Sequence, residues 1–198
     1  MNSKGLLLVI SGPAGAGKGT VVKELMKDEN MRLSISATTR APRGTEQDGV
    51  EYHFLSREKF EELISEDGFY EYAQYLGNYY GSPKKPVENW QNEGRDVILE
   101  IEVQGCEKVK KVLPDCISIF IMPPSIEVLE KRLRGRGTET EENIQKRMAR
   151  AKEELPKAKD YDYVVINGAL EDCVADVKSI IRAQKLKNNV QCTMCNVQ

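Results

Sequence analysis

Seven residues near the start of the chain, Gly12-Pro-Ala-Gly-Ala-Gly-Lys18, have the types and spacing to hold a polyphosphate. Small side chains let consecutive backbone N–H groups converge on an anion, and the helix expected just beyond adds the positive end of its dipole. Lys18 supplies a mobile charge for the outer phosphates. Gly12, Pro13, Ala14, Gly15, Ala16, Gly17, Lys18, Gly19 and Thr20 are the candidate contacts. Gly19 stands where this motif commonly carries a metal-binding hydroxyl, and Thr20 comes about 100° further around the helix. No direct protein ligand to a metal is therefore expected. Mg²⁺ would be held by phosphate and by water, with Glu100 or Glu102 as the carboxylates at hand.

Three further clusters have chemistry in their spacing. Arg40 and Arg43 flank Pro42, and two guanidinium forks on a stiffened segment suit a phosphate monoester dianion. Tyr52 adds a neutral donor, although two surface arginines in a turn would read the same way. The stretch from Glu71 through Gly77-Asn78 and Tyr80 to Ser82 has a strand–turn–strand pattern, which a hairpin packed by aromatic rings would also give. Arg132 and Arg136 are four apart, Gly135 and Gly137 border Arg136, and Arg147 and Arg150 follow. Residues 131–152 hold eight Lys/Arg against three Glu, inside a chain of net charge −2. Such a segment could close over a nucleotide and bring arginines to a transferring phosphoryl group; a solvated helical face has the same charge run.

The elements that must position these groups alternate between strand and helix. The apolar runs Leu6–Ile10, Val97–Ile101, Ile117–Met122 and Tyr163–Ile166 predict buried strands, with a short strand over Arg32–Ser36. Helices are predicted through Val21–Met26, over Ile126–Leu133 with Ser125 as cap, from the cap Thr140 through Glu154 to Pro156, and over Leu170–Leu186. This alternation implies an α/β fold with a doubly wound parallel sheet. Residues 36–86 break the rhythm with short strands Val50–Leu55 and Phe69–Tyr75, a helix Arg57–Ile64 capped by Ser56, and turns at Gly68, Gly77-Asn78 and Gly81. They predict a small α+β lobe inserted in the core. The expected organisation is one folding unit: core over 1–35, lobe over 36–86, core over 87–124, a helical lid over 125–157, and core with a frayed polar tail over 158–198.

Composition bounds the remaining possibilities. The chain has 198 residues, 40% hydrophobic and 30% charged, as in an ordinary globular protein. No apolar run is long enough to span a bilayer, and no signal peptide precedes the glycine-rich loop. Five cysteines without regular spacing point to a reducing compartment, the cytoplasm. Cys192 and Cys195 have half the spacing of a zinc site and read as unpaired thiols, and His53, the single histidine, reads as a packing residue. With no basic excess overall, neither a nucleic-acid nor a membrane partner is expected. Monomer and homo-oligomer fit the sequence equally.

With Ser36-Ala-Thr-Thr-Arg40-Ala-Pro-Arg43, Gly77-Asn-Tyr-Tyr80-Gly-Ser82, Leu99-Glu-Ile-Glu-Val-Gln-Gly105 and Arg132–Glu142 in this order after the phosphate loop, the chain resembles the guanylate kinases to about residue 187. The resemblance implies a P-loop kinase that transfers the γ-phosphoryl of ATP, with Mg²⁺, to GMP and also to dGMP. It implies that Arg40, Arg43, Tyr52 and Tyr80 hold the GMP phosphate. Ser36, Glu71, Ser82 and Glu102 would read the guanine, whose adjacent N1–H and N2–H₂ suit a carboxylate. Lys18, Arg40, Arg132, Arg136 and Arg147 would stabilise the phosphoryl in flight, and Asn167 would line the adenine side. The chain departs from the family's common pattern at Ala14, Ala37, Glu102 and Gly168-Ala169. A non-catalytic module binding phosphorylated proteins, or a kinase of another monophosphate, would share parts of this pattern. The intact loop argues against the first, and Glu71 with Glu102 against the second.

Overall fold

The first apolar run forms a strand buried along its whole length, β1 (Leu7–Ser11). The computed structural model describes residues 4–135 and 140–194, with side chains described as far as 187. Arg136, Cys195 and the side chain of Cys192 thus lie outside the described residues. After β1 come α1 (Lys18–Leu25), β2 (Met31–Leu33), β3 (Ala37–Thr38), β4 (His53–Phe54), α2 (Arg57–Ser65), β5 (Phe69–Tyr75) and β6 (Asn78–Pro83). They are followed by α3 (Lys84–Asn92), β7 (Asp96–Glu100), α4 (Val103–Val112), β8 (Ile117–Met122) and α5 (Ile126–Arg134). The chain ends with α6 (Glu141–Glu154), a 3-10 turn over Leu155–Asp160, β9 (Tyr163–Ile166) and α7 (Leu170–Met194). They divide into two compact units, residues 1–11 with 29–118 and residues 12–28 with 119–198.

In the first unit β7 pairs in parallel with both β1 and β2. Leu7–Ile10 of β1 and Val97–Leu99 of β7 are wholly apolar, because a parallel strand covered on both faces has no solvent side to spend on polar residues. Asp96 is buried at the start of β7, where its carboxylate accepts the Leu6 N–H at 3.0 Å. The same unit carries a separate mixed sheet in the order β4-β3-β6-β5. There β3 runs parallel to β4 and antiparallel to β6, and β5 and β6 form an antiparallel hairpin. This small sheet is held by a cluster of Ala37, Phe60 and Phe69, with Leu55, Leu63, Ile64 and Tyr79 packed around it. The Phe60 ring stacks on Phe69 at 4.3 Å and on Tyr79 at 5.2 Å. Cross-strand and helix-to-sheet aromatic contacts of this kind let short strands hold together.

In the second unit β8 and β9 pair in parallel, from Ile119 opposite Tyr163 to Met122 opposite Ile166. Helices α5 and α6 bury Leu129, Leu133, Ile144, Met148 and Ala151 against one another. Both helices start where expected: the Ser125 and Thr140 side chains accept the N–H groups of Val128 and Asn143. Parallel strands with crossover helices and a second, mixed sheet make this the predicted α/β class. No described helix is long and apolar enough to cross a membrane.

Several local expectations change. The strand expected over Arg32–Ser36 is β2, which ends at Leu33; after Ser34 donates to Ile98 O, the chain leaves for the mixed sheet, where Ser36 O accepts the His53 N–H. The strand expected over Val50–Leu55 shrinks to β4, because the Asp48 carboxylate takes the Phe54 N–H and a Gly49 N–H to Tyr52 O bond closes a turn before it. Gly81 lies inside β6 rather than in a turn; a Cβ there would come within 2.9 Å of the Phe69 ring. Helices α3 and α4 were not anticipated. Their buried positions, Val87 and Gln91 in one and Val103, Gly105, Cys106 and Val109 in the other, include small or polar residues that blur the apolar stripe. Helix α7 runs past Leu186 to Met194, where no glycine or proline stops it.

The β5–β6 turn is Leu76-Gly77 rather than Gly77-Asn78, since Tyr75 pairs with Asn78. Both turn residues have positive φ, 47° at Leu76 and 79° at Gly77, the geometry of a hairpin turn that favours Asn-Gly. Leu76 is 78% exposed, so its side chain gains little to offset the left-handed backbone. Leu76→Asn is expected to raise stability by about 1 kcal/mol, read as a higher denaturation midpoint at unchanged slope.

Candidate active site

The glycine-rich loop turns on three residues of positive φ, Gly12, Gly15 and Gly17. The Lys18 ammonium is folded back on the loop, donating to Gly12 O at 2.6 Å and Pro13 O at 3.1 Å. The Ala16 carbonyl points the other way and is held by side chains from beyond the loop. Asn167, buried just after β9, donates to it through Nδ2 at 2.8 Å. Arg132 of α5 reaches the same oxygen through Nη1 at 3.4 Å, and its Nη2 donates to Asn167 O at 2.9 Å and Gly168 O at 3.3 Å. Gly17 caps α1 with φ 92°, and a Cβ on it would lie 2.3 Å from Asn167 Nδ2. Asn167, expected on the adenine side, also supports the loop backbone through its bond to Ala16 O. Gly19 and Thr20 follow exposed in the first turn of α1.

The mixed sheet gathers the second set. Arg40, just past β3, lies with its guanidinium carbon 5.4 Å from the Tyr52 ring centre and 5.8 Å from that of Phe54. Tyr52 meets Tyr80 of β6 edge to face at 5.9 Å. Glu46 takes both Nη groups of Arg40, at 2.9 and 3.0 Å, and accepts the Arg43 N–H at 2.8 Å. Those bonds hold the Glu46 carboxyl below the usual carboxylate range, Arg40 contributing most. The Arg43 residue itself is exposed. Burial pushes the Tyr52 phenol up, and the charges of Arg40, Glu46 and Glu102 are all felt there.

On the neighbouring rungs Ser82, buried in β6, donates to Glu71 Oε1 at 3.0 Å across the hairpin. Burial raises the Glu71 pKa, and Glu102 pushes the same way; the Ser82 hydroxyl and the Lys108 charge oppose it. Gly105 in the first turn of α4 lies beside this carboxyl, whose carbon would be in ordinary contact, at 3.6 Å, with a Cβ there. Arg40, Tyr52, Tyr80, Glu71, Ser82 and Glu102 are therefore one neighbourhood of ring contacts, a hydrogen bond and interacting charges. Ser36 joins it through the β3–β4 backbone. Sequence reasoning gave no role to Glu46, Phe54 or Lys108. The three-residue step from Arg43 to Glu46, across a turn holding Gly44, was the available signal for the first.

The basic block divides. Arg134 pairs with Glu130 and Glu141, Lys146 with Glu142, and Arg150 with Glu154, as on a solvated helical face. Arg132 reaches the phosphate loop, and Arg147 lies exposed on α6.

The model of one protein family, guanylate kinase, matches residues 4–184. The guanylate kinase of Halalkalibacterium halodurans is 54% identical over 185 residues, which is 93% of this chain and 91% of that one. That of Clostridioides difficile is 51% identical, covering 93% and 90%. The crystal structure of guanylate kinase from Anaplasma phagocytophilum superposes with a TM-score of 0.72 at 36% identity, over 92% of this chain and 87% of that one. This chain belongs to the guanylate kinase family. It has the α/β P-loop kinase fold, and the family's reaction is phosphorylation of GMP with ATP.

The loop geometry can be tested without substrate. Gly17→Ala places a methyl group against Asn167 at positive φ and should cost about 2 kcal/mol or more in denaturant unfolding. Asn167→Ala removes the obstacle, so the double variant should be destabilised by clearly less than the sum of the two.

Proposed function

We propose that residues 36–86 take GMP, and also dGMP, while the phosphate loop takes ATP and residues 125–157 act as a lid over it. The observation that carries this reading is the Arg40–Tyr52–Tyr80 group beside the Glu71–Ser82 pair on one small sheet. A guanidinium walled by phenols is chemistry for a phosphate monoester. A partly buried carboxylate held by a hydroxyl is chemistry for guanine N1–H and N2–H₂. Ser36 and Glu102 complete the base side, and Arg43 the phosphate side. None of these roles uses the ribose 2′-hydroxyl, hence the inclusion of dGMP.

In the reaction a GMP phosphate oxygen attacks the γ-phosphorus of ATP as the bond to the bridging oxygen of ADP breaks. The protein's work is alignment and charge stabilisation. Lys18 exchanges the Gly12 and Pro13 carbonyls for the β- and γ-phosphates, and the loop amides from Gly12 to Thr20 receive the same groups. Arg132 stays beside the loop, in keeping with its bonds to Ala16 and Asn167. Arg147, with Arg136 from outside the described residues, serves the transferring group. Glu100 or Glu102 would hold Mg²⁺ through water, since Gly19 offers no hydroxyl, and the ion would supply neutralisation of phosphate charge. The described cysteines 106, 116 and 173 are buried and outside any disulfide, which supports a reducing, cytoplasmic setting; no nucleic-acid or membrane partner is part of this reading.

ADP release with ATP, Mg²⁺ and a panel of GMP, dGMP, AMP, UMP and CMP is expected to be selective for the two guanine nucleotides. Turnover of another base would end the assignment of Glu71, and no turnover at high enzyme concentration would favour a binding module. Arg40→Ala should raise KM for GMP and lower kcat, by about tenfold or more together, with KM for ATP little changed. The Glu71 carboxylate must be ionised to accept from guanine, and its pKa is raised. Affinity for GMP is therefore present above that pKa and lost as pH falls through it. KM for GMP should begin to climb above the ordinary carboxylate value of 4.5, and Glu71→Gln should flatten that climb while weakening GMP at all pH values.

A further inference from the structure

A single side chain closes the turn that carries both phosphate-side arginines. Glu46 binds the two Nη groups of Arg40 as a fork, at 2.9 and 3.0 Å. The same carboxylate accepts the Arg43 N–H at 2.8 Å, and the Glu46 N–H donates back to Arg43 O at 3.0 Å. Arg40 Nη1 also donates to Ala41 O at 2.7 Å. With the Tyr52 and Phe54 rings at its side, the Arg40 side chain is only 9% exposed. An arginine otherwise holds many rotamers of similar energy, and a flexible turn would let Arg43 drift relative to it. Here the plane of one guanidinium and the backbone of the other arginine are set by one carboxylate.

We infer that Glu46 is a positioning residue for the phosphate of the nucleoside monophosphate, acting through Arg40. The inference rests on the assignment of Arg40 to that phosphate. Glu46 touches no reacting atom; it fixes the direction from which Arg40 meets the dianion, and so the direction in which the attacking oxygen faces. Its cost is electrostatic, because a carboxylate near a dianion repels it and removing the charge would by itself tighten binding. Alignment outweighs that repulsion where the reaction tolerates little displacement: a misplacement of about 1 Å can cost on the order of a hundredfold in rate.

The test compares Glu46→Gln, Arg40→Ala and the double variant with the full-length wild-type enzyme, using steady-state kinetics in each substrate and thermal melting. Glu46→Gln keeps the shape of the side chain and one acceptor but loses the charged fork. The expected result is a fall of about tenfold to a hundredfold in kcat/KM for GMP, with KM for ATP and the melting temperature near wild type. The Gln substitution should add almost nothing once Arg40 is Ala, because its effect passes through that residue. Unchanged or raised kcat/KM for GMP in Glu46→Gln would overturn the inference, the second by showing that the carboxylate competes with the phosphate. Equal losses toward both substrates with a lowered melting temperature would reduce Glu46 to a fold-maintaining residue and also overturn it. If Arg40→Ala itself leaves GMP kinetics intact, the assignment of Arg40 falls instead. An effect of Arg40→Ala without one of Glu46→Gln sinks the inference alone.

Discussion

A loop that offers its amides to an anion must place its carbonyls on other donors, because each buried peptide group needs a partner. Around Gly12–Lys18 this is met by three side chains. Lys18 covers the Gly12 and Pro13 carbonyls, while Asn167 and Arg132 converge on Ala16. Gly17, next in the chain, is left-handed and lies directly against Asn167, and α1 starts from that residue. The strand β9 and the helix α5 are therefore organised around a carbonyl as much as around their own apolar faces. Arg132 ties the two together through Asn167 O and Gly168 O.

The mixed sheet solves a different problem, which is to hold charge in a lobe with little core. Its strands are short and its cluster is mostly aromatic, so packing alone gives limited rigidity. Charge is instead neutralised locally. Glu46 answers Arg40, and Ser82 and Lys108 moderate Glu71. The two carboxylates fare oppositely for a physical reason. Glu46 gains a charged fork and is held ionised, whereas Glu71 is half-buried beside a hydroxyl and its charged form is disfavoured. One suits a permanent counter-ion, the other a base reader that discriminates by whether its hydrogen bonds are answered.

Local signals carried far where they were chemically simple. Ile117–Met122, Tyr163–Ile166 and Phe69–Tyr75 are strands with the bounds expected, and Ser56, Ser125 and Thr140 cap helices as their side chains dictate. Where an element's buried face includes small or polar residues, as in α3 with Gln91 and α4 with Gly105 and Cys106, periodicity loses contrast and the helix is missed. The hairpin turn moved by one residue because Leu76 accepts a left-handed backbone that a leucine rarely adopts.

The sequence by itself determined the fold class, the anion-binding loop and the family, because glycine spacing, buried apolar runs and ordered motifs are properties of the chain read along its length. It placed Arg40, Tyr52, Tyr80, Glu71 and Ser82 in one function without showing that they touch. Only the tertiary structure decided that Asn167 supports the loop, that Arg132 braces it, and that Glu46 holds Arg40. The first two depend on which donor finds which acceptor at separations of 151 and 116 residues, which no local pattern encodes, and the third, six residues apart, depends on how the turn folds back on itself.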